Sequence, residues 1–156
     1  MVTSPQGQSN RLLEVTASQR QDLEAMFERL ETGATDPKER REHVGDVMNR
    51  LSRHISIRQQ LLYPRVRQDV SDGDSCVDLA LIGQEQVERT SREIVSLTGT
   101  ELTFEFLVAK LGHEVREYFD EEEFELLPPL VDAIGIDAAN ELGDQLAQAD
   151  AAVSPR

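Results

Sequence analysis

LSRHISIRQQLLYPRV, residues 51–66, is the stretch on which the fold turns. Just before and within it, Val44, Val47, Leu51 and Ile55 recur at steps of three and four, and Leu62 continues the stripe. That is the period of an amphipathic α-helix, which completes a turn every 3.6 residues. His54 lies three residues beyond Leu51, and Arg58 lies one turn after His54. An imidazole and a guanidinium therefore fall on the apolar side. Buried polar groups are costly unless they bond to one another. This helix is expected to meet neighbours that hold partners for both.

The sequence on either side supplies those neighbours. Asp36 is a good N-cap and Pro37 suits a first helical position, so the central helix is expected over about 37–66. Ahead of it, Gln19, Leu23, Met26 and Leu30 mark a helix over about 16–31, with Thr16 and Gln19 as a capping box and Gly33 near its end. After the loop SDGDS (71–75), Asp74 or Ser75 is expected to cap a third helix. Its inward face is read as Leu79, Ile82, Val87, Ile94 and Leu97, before Gly99. Thr100 is expected to cap a fourth helix with Leu107, Leu111, Val115, Tyr118 and Phe119 inward, ending at Pro128-Pro129. A short fifth helix follows Asp137, with Leu142 and Leu146 on one side.

Strand signals are weak, with no alternating β-branched run and no Asn-Gly hairpin. Four long helices with short connections imply an all-α, up-down-up-down four-helix bundle, the short fifth helix packing across one end. Residues 1–12 are expected as a flexible lead, 13–149 as the bundle and 150–156 as a flexible tail. Extending the apolar stripes brings further polar residues inward. Gln19 precedes Leu23 by four, Gln86 follows Ile82 by four, Tyr118 follows Val115 by three and Glu122 follows Tyr118 by four. With His54 and Arg58 these predict one shared polar centre.

Composition narrows the class. The chain has 156 residues, and 16 Lys plus Arg against 30 Asp plus Glu leave a net charge of −14. Such a field repels phosphate backbones and anionic lipid, so neither nucleic acid nor a membrane surface is expected as a partner. No apolar run approaches the roughly 20 residues needed to span a bilayer. The first ten residues, MVTSPQGQSN, have neither a basic start nor an apolar stretch, so no secretory signal is read there. The single cysteine, Cys76, cannot close an intramolecular disulfide, which suits a reducing cytoplasm.

The stretch 51–66 resembles the second helix of the hemerythrin-like HHE family, in which H-x-x-x-E is followed by an LYP ending. His54 sits ten residues before Pro64, as that pattern expects. YFDEEEFELLPPL (118–130) is similar to the family's second such segment, with Tyr118 in the histidine position and Glu122 in the carboxylate position. LEVTASQRQDLEAMFERLE (13–31) resembles the first helix, with Gln19 where a histidine is usual. GQEQVERTSREIVSL (83–97) resembles the third, with Gln86 in a ligand position, and 131–149 is also family-like. The resemblance covers about residues 13–149. It implies two irons held by imidazoles and bridging carboxylates, and a link to O2, NO, peroxide or iron handling.

The ligand set departs from that pattern. Amides are poor iron ligands, and Arg58 puts a permanent cation where a bridging carboxylate is implied. Any surviving site would rest on His54, Tyr118 and Glu122, too few for a di-iron centre. No metal or other cofactor is therefore expected. Arg58 is expected instead to pair with Glu122, with Gln19, His54, Gln86 and Tyr118 satisfying what remains.

The remaining motifs are ordinary. His113 and Glu117 form an i, i+4 pair off the apolar phase and read as a surface contact. His43 is expected exposed near a helix end, and DEEEFE (120–125) reads as a solvated acidic face. Around Gly73 an EF-hand would need ligands at Gln68, Val70 and Leu79, so that match fails. No phosphate loop, nucleophile elbow or zinc spacing is present, and no catalytic residue is assigned. The leading expectation is a non-catalytic binding or regulatory module that takes a protein partner or small ligand. One alternative is a non-haem iron protein of the same family. The other is a small-molecule enzyme using His54 as acid or base and Arg58 to hold a carboxylate.

Overall fold

The computed structural model describes residues 10–32, 36–98 and 100–152. Among these residues every regular element is helical. α1 (Arg11–Thr32) is followed by α2 (Pro37–Ile57), a π-helical turn (Arg58–Leu62) and α3 (Tyr63–Asp69). Next come α4 (Gly73–Val95), α5 (Leu102–Glu121), a second π-turn (Glu122–Leu126) and α6 (Leu127–Ala152). α2 and α3 form one rod through the first π-turn, and α5 runs into α6 through the second. With α1 and α4 these make a four-helix bundle, completed by the C-terminal part of α6. No described helix is long and apolar enough to cross a membrane.

Several helix ends differ from expectation. α1 begins at Arg11, where the Asn10 side chain accepts a hydrogen bond from the Leu13 N–H at 3.0 Å. Asn10 thus caps α1, and Thr16 lies inside the helix, its hydroxyl bonded back to the Leu12 carbonyl at 2.9 Å. Thr16 and Gln19 are not a capping box. Part of the expected flexible lead is therefore helix, since Leu12 is wholly buried. Residues 1–9, 153–156, Gly33 and Gly99 lie outside the described residues. Asp36 does cap α2, accepting from the Glu39 N–H at 3.1 Å. Glu101 rather than Thr100 precedes α5, and Asp72 rather than Asp74 or Ser75 precedes α4. Asp74 instead pairs with Arg67.

Pro128-Pro129 does not end a helix. A proline removes one N–H and crowds the carbonyl four residues back. Widening the preceding turn relieves that crowding. The Leu127 N–H donates to the Glu122 carbonyl, five residues back, and the helix continues. The Tyr63 N–H likewise donates to the Arg58 carbonyl, just ahead of Pro64. The break comes later, at Gly135, whose φ of +86° is a left-handed conformation that glycine adopts at little cost. The expected fifth helix is the part of α6 beyond this kink. There Gly143 lets α6 approach α1 closely: a Cβ on it would lie 2.5 Å from the Leu12 backbone nitrogen.

The apolar core divides into two clusters. One holds Leu23, Phe27, Leu51, Ile55, Val87, Leu111, Val115 and Phe119, among others. The second gathers Val15, Leu62, Val66, Ala80, Leu126, Leu130 and Leu146 with their neighbours. On each rod a buried polar residue separates the two: Gln19 between Val15 and Leu23, Arg58 between Ile55 and Leu62, Gln84 between Ala80 and Val87, and Glu122 between Phe119 and Leu126. The bundle is thus apolar, polar and apolar along its length.

Candidate functional site

Arg58 opens the first π-turn and Glu122 the second, each six residues ahead of a proline. The two are 64 residues apart, and the same offset relates His54 to Tyr118 and Pro64 to Pro128. Two similar stretches of chain therefore bring a cation and an anion to one level of the core. Arg58 has no exposed surface and Glu122 is 6% exposed. The Arg58 Nε donates to Glu122 Oε1 at 3.0 Å, and one terminal nitrogen donates to Oε2 at 3.2 Å. This is the two-pronged geometry that fits a planar guanidinium to a carboxylate. The other terminal nitrogen donates to the Gln19 side-chain oxygen at 2.6 Å. Burial works against the Arg58 charge, but the attraction and hydrogen bonds of Glu122 outweigh it. The guanidinium is held above its ordinary range.

A second network adjoins the pair. The hydroxyls of Tyr63 and Tyr118 are 2.7 Å apart, and the Gln84 amide donates to both at 3.0 Å. Gln59 donates in turn to the Gln84 oxygen at 2.7 Å. Burial, and then the negative charge of Glu122, push Tyr118 up to about 12. Burial and the neighbouring Tyr118 push Tyr63 further up. Both side chains are neutral phenols at physiological pH.

His54 lies beside these networks. Its ring stands edge-on to Phe119 at 5.2 Å and to Tyr118 at 6.2 Å. Its Nε2 is buried without a hydrogen-bond partner. Burial, then the charges of Arg58 and Arg50, hold the imidazole well below its ordinary value, so it is neutral.

The structure therefore brings together Gln19, His54, Arg58, Tyr118 and Glu122. It does not bring in Gln86, which is exposed. α4 is rotated relative to the expected phase: Val77, Ala80, Gln84, Val87 and Ile94 face inward, while Leu79 and Ile82 are more than half exposed. Gln84 occupies the level assigned to Gln86. The signal for it was the stripe Val77, Ala80, Val87, which competes with Leu79, Ile82 at the same helical period. Tyr63 and Gln59 were also missed, and neither stands out from the apolar periodicity. His113 and Glu117 are 3.5 Å apart and exposed, a surface pair.

The residues present do not fit a pair of irons. Both oxygens of Glu122 and the oxygen of Gln19 are engaged by Arg58. Tyr118 keeps its proton, and the Nε2 of His54 is left as a lone strong donor atom beside a fixed positive charge. Among the described residues no group of three or more His, Cys, Asp or Glu side chains could hold a metal ion.

A four-helix bundle with buried polar residues at matched levels of all its rods is the architecture of proteins that hold a site between helices. The hemerythrin HHE cation-binding domain model matches residues 12–130. The chain belongs to that family. Searches of curated proteins and of solved structures return no significant match.

Proposed function

We propose that this chain is a metal-free hemerythrin-like domain acting as a non-catalytic binding or regulatory module in the cytoplasm. One observation carries the reading: Arg58, wholly buried, is joined to Glu122 and Gln19 at the centre of the bundle. A built-in cation there does the structural work that a bound cation does in a relative, holding acidic and polar groups of separate helices together. Apart from the His54 Nε2, the central polar groups are spent on one another, which leaves interaction to the outer surface of a chain with net charge −14. The same bonding disfavours an enzyme working through His54 and Arg58, because the guanidinium that would hold a substrate carboxylate already holds Glu122.

Protein purified from iron-supplemented cells tests this. Elemental analysis should find far less than one iron per chain, with no oxo-to-iron absorption band. Two irons per chain with such a band would overturn the proposal and favour the family's O2, NO, peroxide or iron chemistry. The unbonded Nε2 of His54 is the atom such a site would use first.

A further inference from the structure

α4 has two apolar stripes, and the bundle covers one of them. Leu79 and Ile82, on the other, are 56% and 54% exposed. They line a groove between α4 and α5 together with Gln86, so the α4 wall runs i, i+3, i+7 over two helical turns. The opposite wall has the same spacing in charge: Glu114, Glu117 and Glu121, with Asp120 beside them. Asp120 is neutralised by Arg20 at 2.8 Å. Among the described residues the other three have no arginine or lysine partner, and Glu117 pairs with His113 at 3.5 Å. One carboxylate oxygen of Glu114 is buried without any hydrogen-bond partner. Burial and the nearby Glu125 make Glu121 harder to ionise than an ordinary glutamate. Four other grooves on the described surface each include an arginine or lysine: Arg92, Lys38 with Arg41, Arg53, and Arg11 with Arg50 and Arg53. The α4–α5 groove has none.

We infer that this groove docks an amphipathic helix of a partner protein, its apolar face on Leu79 and Ile82 and its lysines or arginines along Glu114, Glu117 and Glu121. The commitment to a basic partner follows from charge. A second copy of this chain would bring another acidic surface against unpaired carboxylates, whereas a cationic helix would place its charges along Glu114 and Glu117 and relieve Glu121. Helix-in-groove binding reads side chains at i, i+3/i+4 and i+7, which is the period of both walls. The inference deepens the binding-module reading and rests on it, but not on the metal content of the core.

The test uses the full chain and a fluorescent synthetic helix of leucine and lysine, about 18 residues long, with all leucines on one face. A permuted peptide of the same composition, without that face, and a leucine–glutamate helix serve as controls. Fluorescence anisotropy should show the amphipathic cationic helix binding about tenfold or more tightly than either control. Ile82→Glu and Glu117→Lys should each weaken it by about tenfold, while Val95→Glu, in another groove, should leave it unchanged. Equal binding of the permuted peptide would reduce the effect to net charge and overturn the inference, as would no binding or indifference to Ile82→Glu. Self-association of the chain abolished by Ile82→Glu would also overturn it, in favour of a second copy. Both exchanged side chains are solvent-facing, so circular dichroism should show the fold intact. Iron measured on the same sample separates the two readings: iron-free protein that ignores the peptide refutes the docking site alone.

Discussion

Removing the Arg58 side chain is the sharpest perturbation of the core. Arg58→Ala deletes its bonds to both oxygens of Glu122 and to Gln19. It leaves a carboxylate, 6% exposed, between Phe119 and Leu126 with its charge unmatched. Breaking a buried pair from one side costs about 3–5 kcal/mol. A domain of this kind has a total stability of about 5–15 kcal/mol, so the loss is a large fraction of it. With a urea slope of about 2 kcal/mol per molar, a loss of about 4 kcal/mol moves the unfolding midpoint down by about 2 M. Arg58→Leu with Glu122→Leu removes both charges together. Replacing a whole buried pair with apolar side chains is often neutral or stabilising, and Gln19 borders a surface groove where its amide can find water. The double variant should stay within about 2 kcal/mol of the parent. Urea unfolding followed by circular dichroism at pH 7 measures all three proteins. A single variant losing under about 1 kcal/mol, or a double variant as damaged as the single, would refute the idea that the pair holds the centre together.

Three further outcomes follow from the same geometry. His54 titrates well below 6.5 when folded and near 6.5 when unfolded, so the unfolded chain binds more protons between those values. Its contribution is complete above pH 6.5 and is lost as pH falls, by up to about 1.4 kcal/mol per pH unit, and the difference between the parent and His54→Phe in urea melts should show that slope. The chain's two tyrosines, Tyr63 and Tyr118, are both raised above 10, so phenolate absorption should stay flat past pH 10 and rise only near 12 or on unfolding, with stability lost as pH climbs above 10. Arg58→Glu with Tyr118→His puts a carboxylate and an imidazole beside His54 and Glu122. Ferrous iron or zinc should raise the melting temperature of that double variant and leave the parent unchanged, whereas a variant indifferent to metal would mean that these four positions do not converge.

Much of the centre was legible because its chemistry is local. His54, Arg58, Tyr118 and Glu122 lie at fixed offsets from Pro64 and Pro128, and a helix converts offsets into a shared face. Asp36-Pro37 marked a helix start for the same reason, with the cap made within one turn. The π-turns were not legible. Pro128-Pro129 reads as a stop signal, and only a helix held on both sides by packing has reason to widen and continue. The start of α1 at Asn10 was hidden because Thr16 and Gln19 satisfy the same capping rule.

Sequence alone determined the helical class, the two matched half-sites and the opposite charges of Arg58 and Glu122, since each depends on spacing within a single helix. The tertiary structure decided the rotation of α4. Val77, Ala80, Gln84 and Val87 form one stripe while Leu79 and Ile82 begin another, and both obey the helical period. Periodicity ranks faces by hydrophobicity, but which face is covered depends on what the other helices offer it. Here the hydroxyls of Tyr63 and Tyr118 offered Gln84 two acceptors, and Leu79 and Ile82 were turned to the outside.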